Sequence, residues 1–341
     1  MMNRKSFIGA VATLSGGLLI PTQQESGKHG SKAIKIPPYL KPGSCVGITA
    51  PAGFILLDQI ASARRVLESW GYKIRIGATI GKRENTFGGS DAERAADLQS
   101  MLDDPEIHAI MCARGGYGVV RIIDRLNWKG LEKSPKWLIG FSDITVLHSH
   151  IHQHCGIASI HSKMTNSFPD DWSVAEPVQL ETINSIFHAL SGRKMEYGVI
   201  ANARNKEGMG EGPLVGGNLK LLESLSGTHS DLDTRGKILF VEDTGEYLYS
   251  IDRMFWNLKR TGKLEELKGL IIGGFKIKPD DEGEAFGKTL EDIVLEKVHG
   301  YHYPVCFDFP VGHQRANFAL KCGVKHRLQI TTEKVNLTEI V

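Results

Sequence analysis

What most limits the fold of this chain is a rhythm in its first half, where short apolar runs end in turns and are followed by stretches with helical spacing. "CVGITAP", residues 45 to 51, reads as a buried strand, and "LLDQIASARRVLESWGYK" repeats its apolar residues at helical spacing until Gly71 stops it. "KIRIGA", "IHAIMCA" and "KWLIGF" read as further strands. Between them, "SDAERAADLQSMLDDP" predicts a helix capped by Ser90 or Asp91 and ending before Pro105. "GVVRIIDRLNW" and "DITVLHSHIHQH" predict two more helices. Strands and helices alternating at this spacing imply an α/β fold with a mostly parallel sheet covered on both faces. In such sheets, ligands bind beyond the carboxyl ends of the strands.

The rhythm lapses from about Phe168 to Gly212, apart from a helical stretch near 177 to 191. We therefore read 168–212 as a connection between domains. A second set follows: "NLKLLESLSGT" helical, "GKILFVED" a strand, "SIDRMFWNLKRTGKLEEL" a long amphipathic helix, "GLIIGGF" a strand, "TLEDIVLEKVHG" a helix and "PVCFDF" a strand. The tail alternates like antiparallel β structure. The expected plan is residues 36–167 as one domain, 168–212 as the connection and 213–341 as a second, smaller α/β domain. A length of 341 residues suits two cores.

Charge excludes some partners. Lys plus Arg number 41 and Asp plus Glu 39, so the body lacks the imbalance that draws proteins to nucleic acid or to a membrane surface. Residues 1–35 differ: Arg4 and Lys5 precede an uncharged, mostly apolar run from Phe7 to Ile20, then a polar tether. A run so short and so rich in Gly, Ser and Thr is a poor membrane span, so the expectation is an export signal, similar to the twin-arginine type, and a periplasmic destination. Five widely spaced cysteines, several within apolar runs, suggest neither a zinc ribbon nor a disulfide framework.

The corner "GFSD" places Ser142 where a strand gives way to a helix, beside unpaired helix N–H groups. That is a good place for a nucleophile, and the N–H of Asp143 could face the oxyanion formed when Ser142 attacks a carbonyl. From this turn alone the favoured reading is that Ser142 or Asp143 caps the helix, since Ile144 breaks the G-x-S-x-G pattern. A serine nucleophile needs a base and an acid to orient it. Glu242, closing "GKILFVE", and His313, after "FDFPVG", lie at strand ends beside glycines, where such side chains tend to be presented.

Together "ARGGYG", "IGFSDIT", "GPLVGGNL", "LFVEDTGEYLYSIDRM" with "GLIIGGF", and "FPVGHQRANFALKCG" resemble the LD-carboxypeptidase family of serine peptidases, which also includes the microcin-C immunity peptidases. The resemblance covers about residues 36 to 330 in the same order. It implies a Ser142–Glu242–His313 triad, a flavodoxin-like N-terminal domain, a smaller C-terminal α/β domain, a site in the cleft between them and a homodimer. It also implies an oxyanion hole of Asp143 N–H with Gly115 or Gly116, and a murein peptide substrate cleaved at an L,D bond to release terminal D-Ala. Glu246, four residues after Glu242, is the competing acid. Alternatives are a peptidyl-nucleotide hydrolase of the microcin-C kind, or a catalytically silent peptidoglycan-binding protein.

No cofactor is expected, because the third glycine position of a dinucleotide loop is occupied by Arg121. His148, His150, His152 and His154 invite a metal, yet no H-E-x-x-H pattern accompanies them, so solvated or core-edge histidines are the expectation and no metal is assigned. Arg114 could grip a substrate carboxylate in a two-pronged contact or simply tie two loops together. Asp252 and Arg253 are expected in ion pairs, and Phe255 and Trp256 in the core.

Overall fold

The computed structural model describes residues 33–340, so the expected export signal lies outside the described residues. The first half runs β1 (Cys45–Thr49), α1 (Ala61–Ser69), β2 (Lys73–Ile76), α2 (Asp91–Asp103), β3 (Ile107–Cys112), α3 (Lys129–Lys133), β4 (Trp137–Gly140), α4 (Thr145–Cys155) and β5 (Ser159–His161). After α5 (Pro177–Leu190) come β6 (Glu196–Ile200), β7 (Gly208–Asn218), α6 (Leu219–Ser224), β8 (Ile238–Glu246), α7 (Leu248–Arg260), β9 (Gly269–Ile277) and α8 (Leu290–Val298). Four strands close the chain: β10 (Val305–Cys306), β11 (Leu320–Cys322), β12 (Lys325–Ile330) and β13 (Lys334–Glu339).

These strands form two sheets in two domains. The first has the order β11-β5-β4-β3-β1-β2, and its five N-terminal strands are all parallel. An order of 2-1-3-4-5 is the flavodoxin-like arrangement, whose reversal between β1 and β3 opens a crevice at the strand ends. The second sheet, β10-β9-β8-β7-β12-β13-β6, is parallel from β10 to β7 and antiparallel beyond it.

Local chemistry accounts for these elements. Every residue of β1 is buried, as expected for a strand covered on both faces. Ser90 and Glu93 form a reciprocal capping box at the start of α2, while Gly71 ends the α1 turn with a positive φ of 87°. Apolar side chains of both sheets meet in one core, in which Trp137, Ile139 and Ile160 pack with Leu214, Phe240, Ile271 and Leu337. The two halves thus share buried apolar surface, which is strongly favourable to keep out of water. They do not simply touch across a wet cleft.

The structure departs from expectation in several places. Residues 118–128 form two short 3₁₀ turns, 119–121 and 123–125, and not one helix. Their start is fixed from outside: Gly118 has φ 140°, its carbonyl accepts from Arg94 Nη1, and the Val119 N–H donates to Asp143. The 168–212 stretch contributes β6 and the first residues of β7 to the second sheet, and β11, from the tail, pairs with β5 in the first. The helix expected over 250–267 stops at Arg260. Phe255 is buried, but Trp256 is 40% exposed, with the Lys259 and Lys297 ammonium groups over its ring. Asp252 does pair with Lys297. All five cysteines are buried free thiols, and among the described residues no helix is long and apolar enough to cross a membrane.

Candidate active site

The buried strand β4 ends in a corner at which Ser142 has φ 63°, a left-handed conformation that costs a residue with a Cβ roughly 1–3 kcal/mol. Several contacts hold the corner. Two residues upstream, the Gly140 carbonyl accepts from His148 Nε2 at 2.9 Å, which leaves Nδ1 to accept the Ser159 hydroxyl at 2.8 Å. Burial pulls the His148 pKa down to about 4, so the ring is neutral and can play both roles. One residue downstream, buried Asp143 accepts the Val119 N–H at 2.8 Å, and burial pushes its carboxyl up to about 6 against the N–H groups of Val119 and Gly118 and the nearby Arg94. Gly115 lies directly against the serine: a Cβ there would stand 3.0 Å from Ser142 Cβ and 3.1 Å from its Oγ. The Gly115 carbonyl turns the other way, accepting the Gly53 N–H at 2.9 Å.

The partners come from the second sheet. Glu242 lies in β8 at the register shift between Val241 and Asp243, fully buried, and its Oε2 is 2.5 Å from His313 Nδ1. His313 Nε2 is 3.2 Å from Ser142 Oγ. His313 can approach because Gly312 precedes it: a Cβ on Gly312, whose φ is 105°, would come within 2.4 Å of Glu242 Cβ. Buried Asn317 accepts the Gly312 N–H at 2.8 Å and braces this loop, while the Phe141 ring lies 4.9 Å from the imidazole. The structure therefore brings Ser142, Glu242 and His313 together in one hydrogen-bonded chain.

"GPLVGGN" joins the halves behind this chain. Gly217 passes so close to α4 that a Cβ would sit 2.4 Å from Thr145 Oγ1, and the Asn218 N–H donates to that hydroxyl at 3.0 Å. The Asn218 side chain caps α6 and donates to Asp243 Oδ1 at 3.0 Å. Burial raises the Asp243 carboxyl to about 6.

Comparison with known proteins identifies the family. Residues 46–162 match the LD-carboxypeptidase N-terminal domain and residues 211–328 the LD-carboxypeptidase C-terminal domain. A probable murein peptide carboxypeptidase of Bacillus subtilis is 34% identical over 305 residues, covering 89% of this chain and 94% of that protein. The chain belongs to the LD-carboxypeptidase family. As a member it is a serine-type peptidase, a hydrolase. The murein tetrapeptide carboxypeptidase of Pseudomonas aeruginosa is 32% identical over 283 residues, 82% of this chain and 91% of the relative. The crystal structure of a muramoyltetrapeptide carboxypeptidase from Oxalobacter formigenes superposes with a TM-score of 0.77 at 28% identity, covering 86% of this chain and 98% of that one.

Other residues singled out in the sequence have different surroundings. Arg114 donates to the Phe54 carbonyl at 3.0 Å and lies over the Phe54 ring, so it ties two loops. Gly116, with φ 108°, faces Gly53. Glu246 makes no contact with His313; its carbonyl accepts the Lys278 N–H. The histidines of α4 are more buried than expected: His148, His150 and His152 are all buried, and His150 Nδ1 is 2.8 Å from Ser230 Oγ. No group of residues able to hold a metal occurs among the described residues. Sequence reasoning passed over Arg94, wholly buried, whose guanidinium donates to the Pro51 carbonyl at 2.6 Å and the Gly118 carbonyl at 2.9 Å, binding two of the loops around Ser142. It also passed over Asn317 and Lys163, since single polar residues without a spacing pattern give no local signal.

Proposed function

We propose that this protein hydrolyses the L,D peptide bond of a murein tetrapeptide and releases its terminal D-Ala, using Ser142 as nucleophile. The observation that carries the reading is the hydrogen-bonded chain from Glu242 through His313 to a serine held at φ 63°. Glu242 fixes the tautomer in which Nδ1 carries the proton, so Nε2 is free to accept the Ser142 proton as Oγ attacks the carbonyl carbon. The tetrahedral oxyanion is stabilised by the Asp143 N–H and by an N–H of the Gly115–Gly116 loop. The Gly115–Gly116 peptide is trans, so with its carbonyl turned to Gly53 the Gly116 N–H points away from Gly53. His313 then protonates the leaving amine, the D-residue departs, and water attacks the acyl-serine by the reverse relay. The names of the Bacillus, Pseudomonas and Oxalobacter relatives support murein peptide as the substrate. We further read the protein as an exported, periplasmic homodimer.

The test is to incubate the purified protein and its Ser142→Ala variant with murein tetrapeptide and pentapeptide and to weigh the products. D-Ala should leave the tetrapeptide only, and only with the unaltered protein. Release by both proteins would remove Ser142 from the mechanism, and release by neither would remove this substrate.

A further inference from the structure

Beside His313, on the side of the Phe141 ring, lies a cavity of about 310 Å³, at the lower end of the roughly 300–1,000 Å³ usual for small-ligand sites. Its wall includes Lys163, Lys276, Gln314 and Arg315, and no lining residue is acidic. The position relative to the reaction matters. Because His313 protonates the leaving amine, the departing residue must lie on the imidazole side of the scissile carbon, opposite the oxyanion donors. His313 itself is part of the wall of this cavity.

The cations there are not all neutralised. Arg315 pairs with Glu176, and buried Glu242 is engaged by His313. Neither Lys163 nor Lys276 forms a salt bridge among the described residues. Lys163 is half-buried; its ammonium donates to the Gln314 carbonyl at 2.6 Å and lies 5.5 Å from the centre of the Phe141 ring. Burial, with the Lys276 charge adding to it and the Glu242 carboxylate opposing it, pulls the Lys163 pKa down to about 8. Glu242 is shared with His313, so a partly desolvated ammonium beside a second cation still gains from an anion placed between them.

We propose that Lys163 and Lys276 receive the terminal carboxylate of the departing residue, so that two ammonium groups beside the imidazole make this peptidase an exopeptidase. The assignment rests on the peptidase reading above, and it gives Arg114, bound up with Phe54, no part in holding that carboxylate.

The experiment compares kcat/KM for murein tetrapeptide and for the same peptide ending in a primary amide, in the unaltered protein and in Lys163→Met, Lys276→Met and the double variant. The unaltered protein should favour the free acid by about 10- to 100-fold, the worth of a hydrogen-bonded charge pair. The acid-to-amide ratio should fall in each single variant and approach one in the double variant. Lys276 is exposed, so its variant folds without rearrangement of the core, and the ratio is insensitive to a loss of folded protein. A lysine that only held the His313 loop would lower both substrates in step; that result, or ratios unchanged by substitution, overturns the proposal. An unaltered protein that cleaves acid and amide equally overturns it while leaving the peptidase reading standing. One that cleaves neither overturns both.

Discussion

At the scale of single residues, the candidate site depends on side chains that differ in how replaceable they are. Glu242→Gln preserves shape but offers the wrong donor pattern to His313 Nδ1, so kcat on the tetrapeptide should fall on the order of 10³- to 10⁴-fold with little change in unfolding midpoint. Gly312→Ala should be worse for its size. The added methyl would lie 2.4 Å from Glu242 Cβ at a φ of 105°, which forces the loop away and breaks the contact between His313 and Ser142. Activity should collapse, and the melting temperature should drop with it. Ser142, Glu242 and His313 were legible in the sequence because each stands within a recognisable motif, although Glu242 lies inside β8 and His313 well past the end of β10, not at the strand ends expected. The residues that hold them were not. Asn317 and His148 act through contacts that only the folded chain creates, and the histidines of α4 gave a periodic pattern suggestive of ligands when the use of His148 is to clamp the carbonyl of Gly140.

At the scale of elements, the parallel strands of the first sheet could be read from their apolar runs, and the helices between them from their caps. β7 could not. Five of its eleven residues are glycine, a composition that argues against a strand. The glycines are there because neighbouring backbone and side chains come too close for anything larger: a Cβ on Gly216 would meet the Phe240 carbonyl oxygen at 1.8 Å, and one on Gly217 the Thr145 hydroxyl at 2.4 Å. β5 was missed because three residues are too few to show a period. The turns at 119–125 were read as helix because their apolar spacing is helical, while contacts from Arg94 and Asp143, remote in sequence, decided otherwise. From this follows a test of the junction between the sheets. Gly217→Ala should destabilise the protein by about 1–3 kcal/mol in denaturant unfolding and lower kcat/KM as well, since α4 carries the corner with Ser142. A change in stability with unaltered turnover would show that the junction does not position the serine.

At the scale of the whole molecule, buried ionisable groups set the response to acid. His148, His150, His152 and His326 are each pulled down by burial to about 4 from an ordinary 6.5. Groups depressed in this way contribute stability that is complete above pH 6.5 and is lost as pH falls towards 4, because only the unfolded chain takes up the protons. Asp143 and Asp243, raised to about 6 from 3.8, act oppositely: their contribution is complete below 3.8 and is lost as pH rises through 6. Burial lowers His161 well below its ordinary value too, so five histidines outweigh two carboxyls and near pH 5 unfolding should take up protons net from these groups. The denaturant midpoint should decline from pH 6.5 to pH 4.5, and His326→Gln should make that decline shallower. A flat or rising profile would contradict the burial assigned to these rings. Sedimentation of the purified protein tests the homodimer.

One strand carries a consequence for how such a protein can be made. β11, from near the carboxyl end, supplies an edge of the sheet that bears Ser142, and β12 and β13 lie between β7 and β6. A ribosome must release the chain as far as Cys322 before the amino-terminal half can acquire its last neighbour. Hydrolytic competence therefore waits on both halves of the chain, and a fragment ending after α5 would leave β5 with an unprotected edge, prone to stick to its own kind.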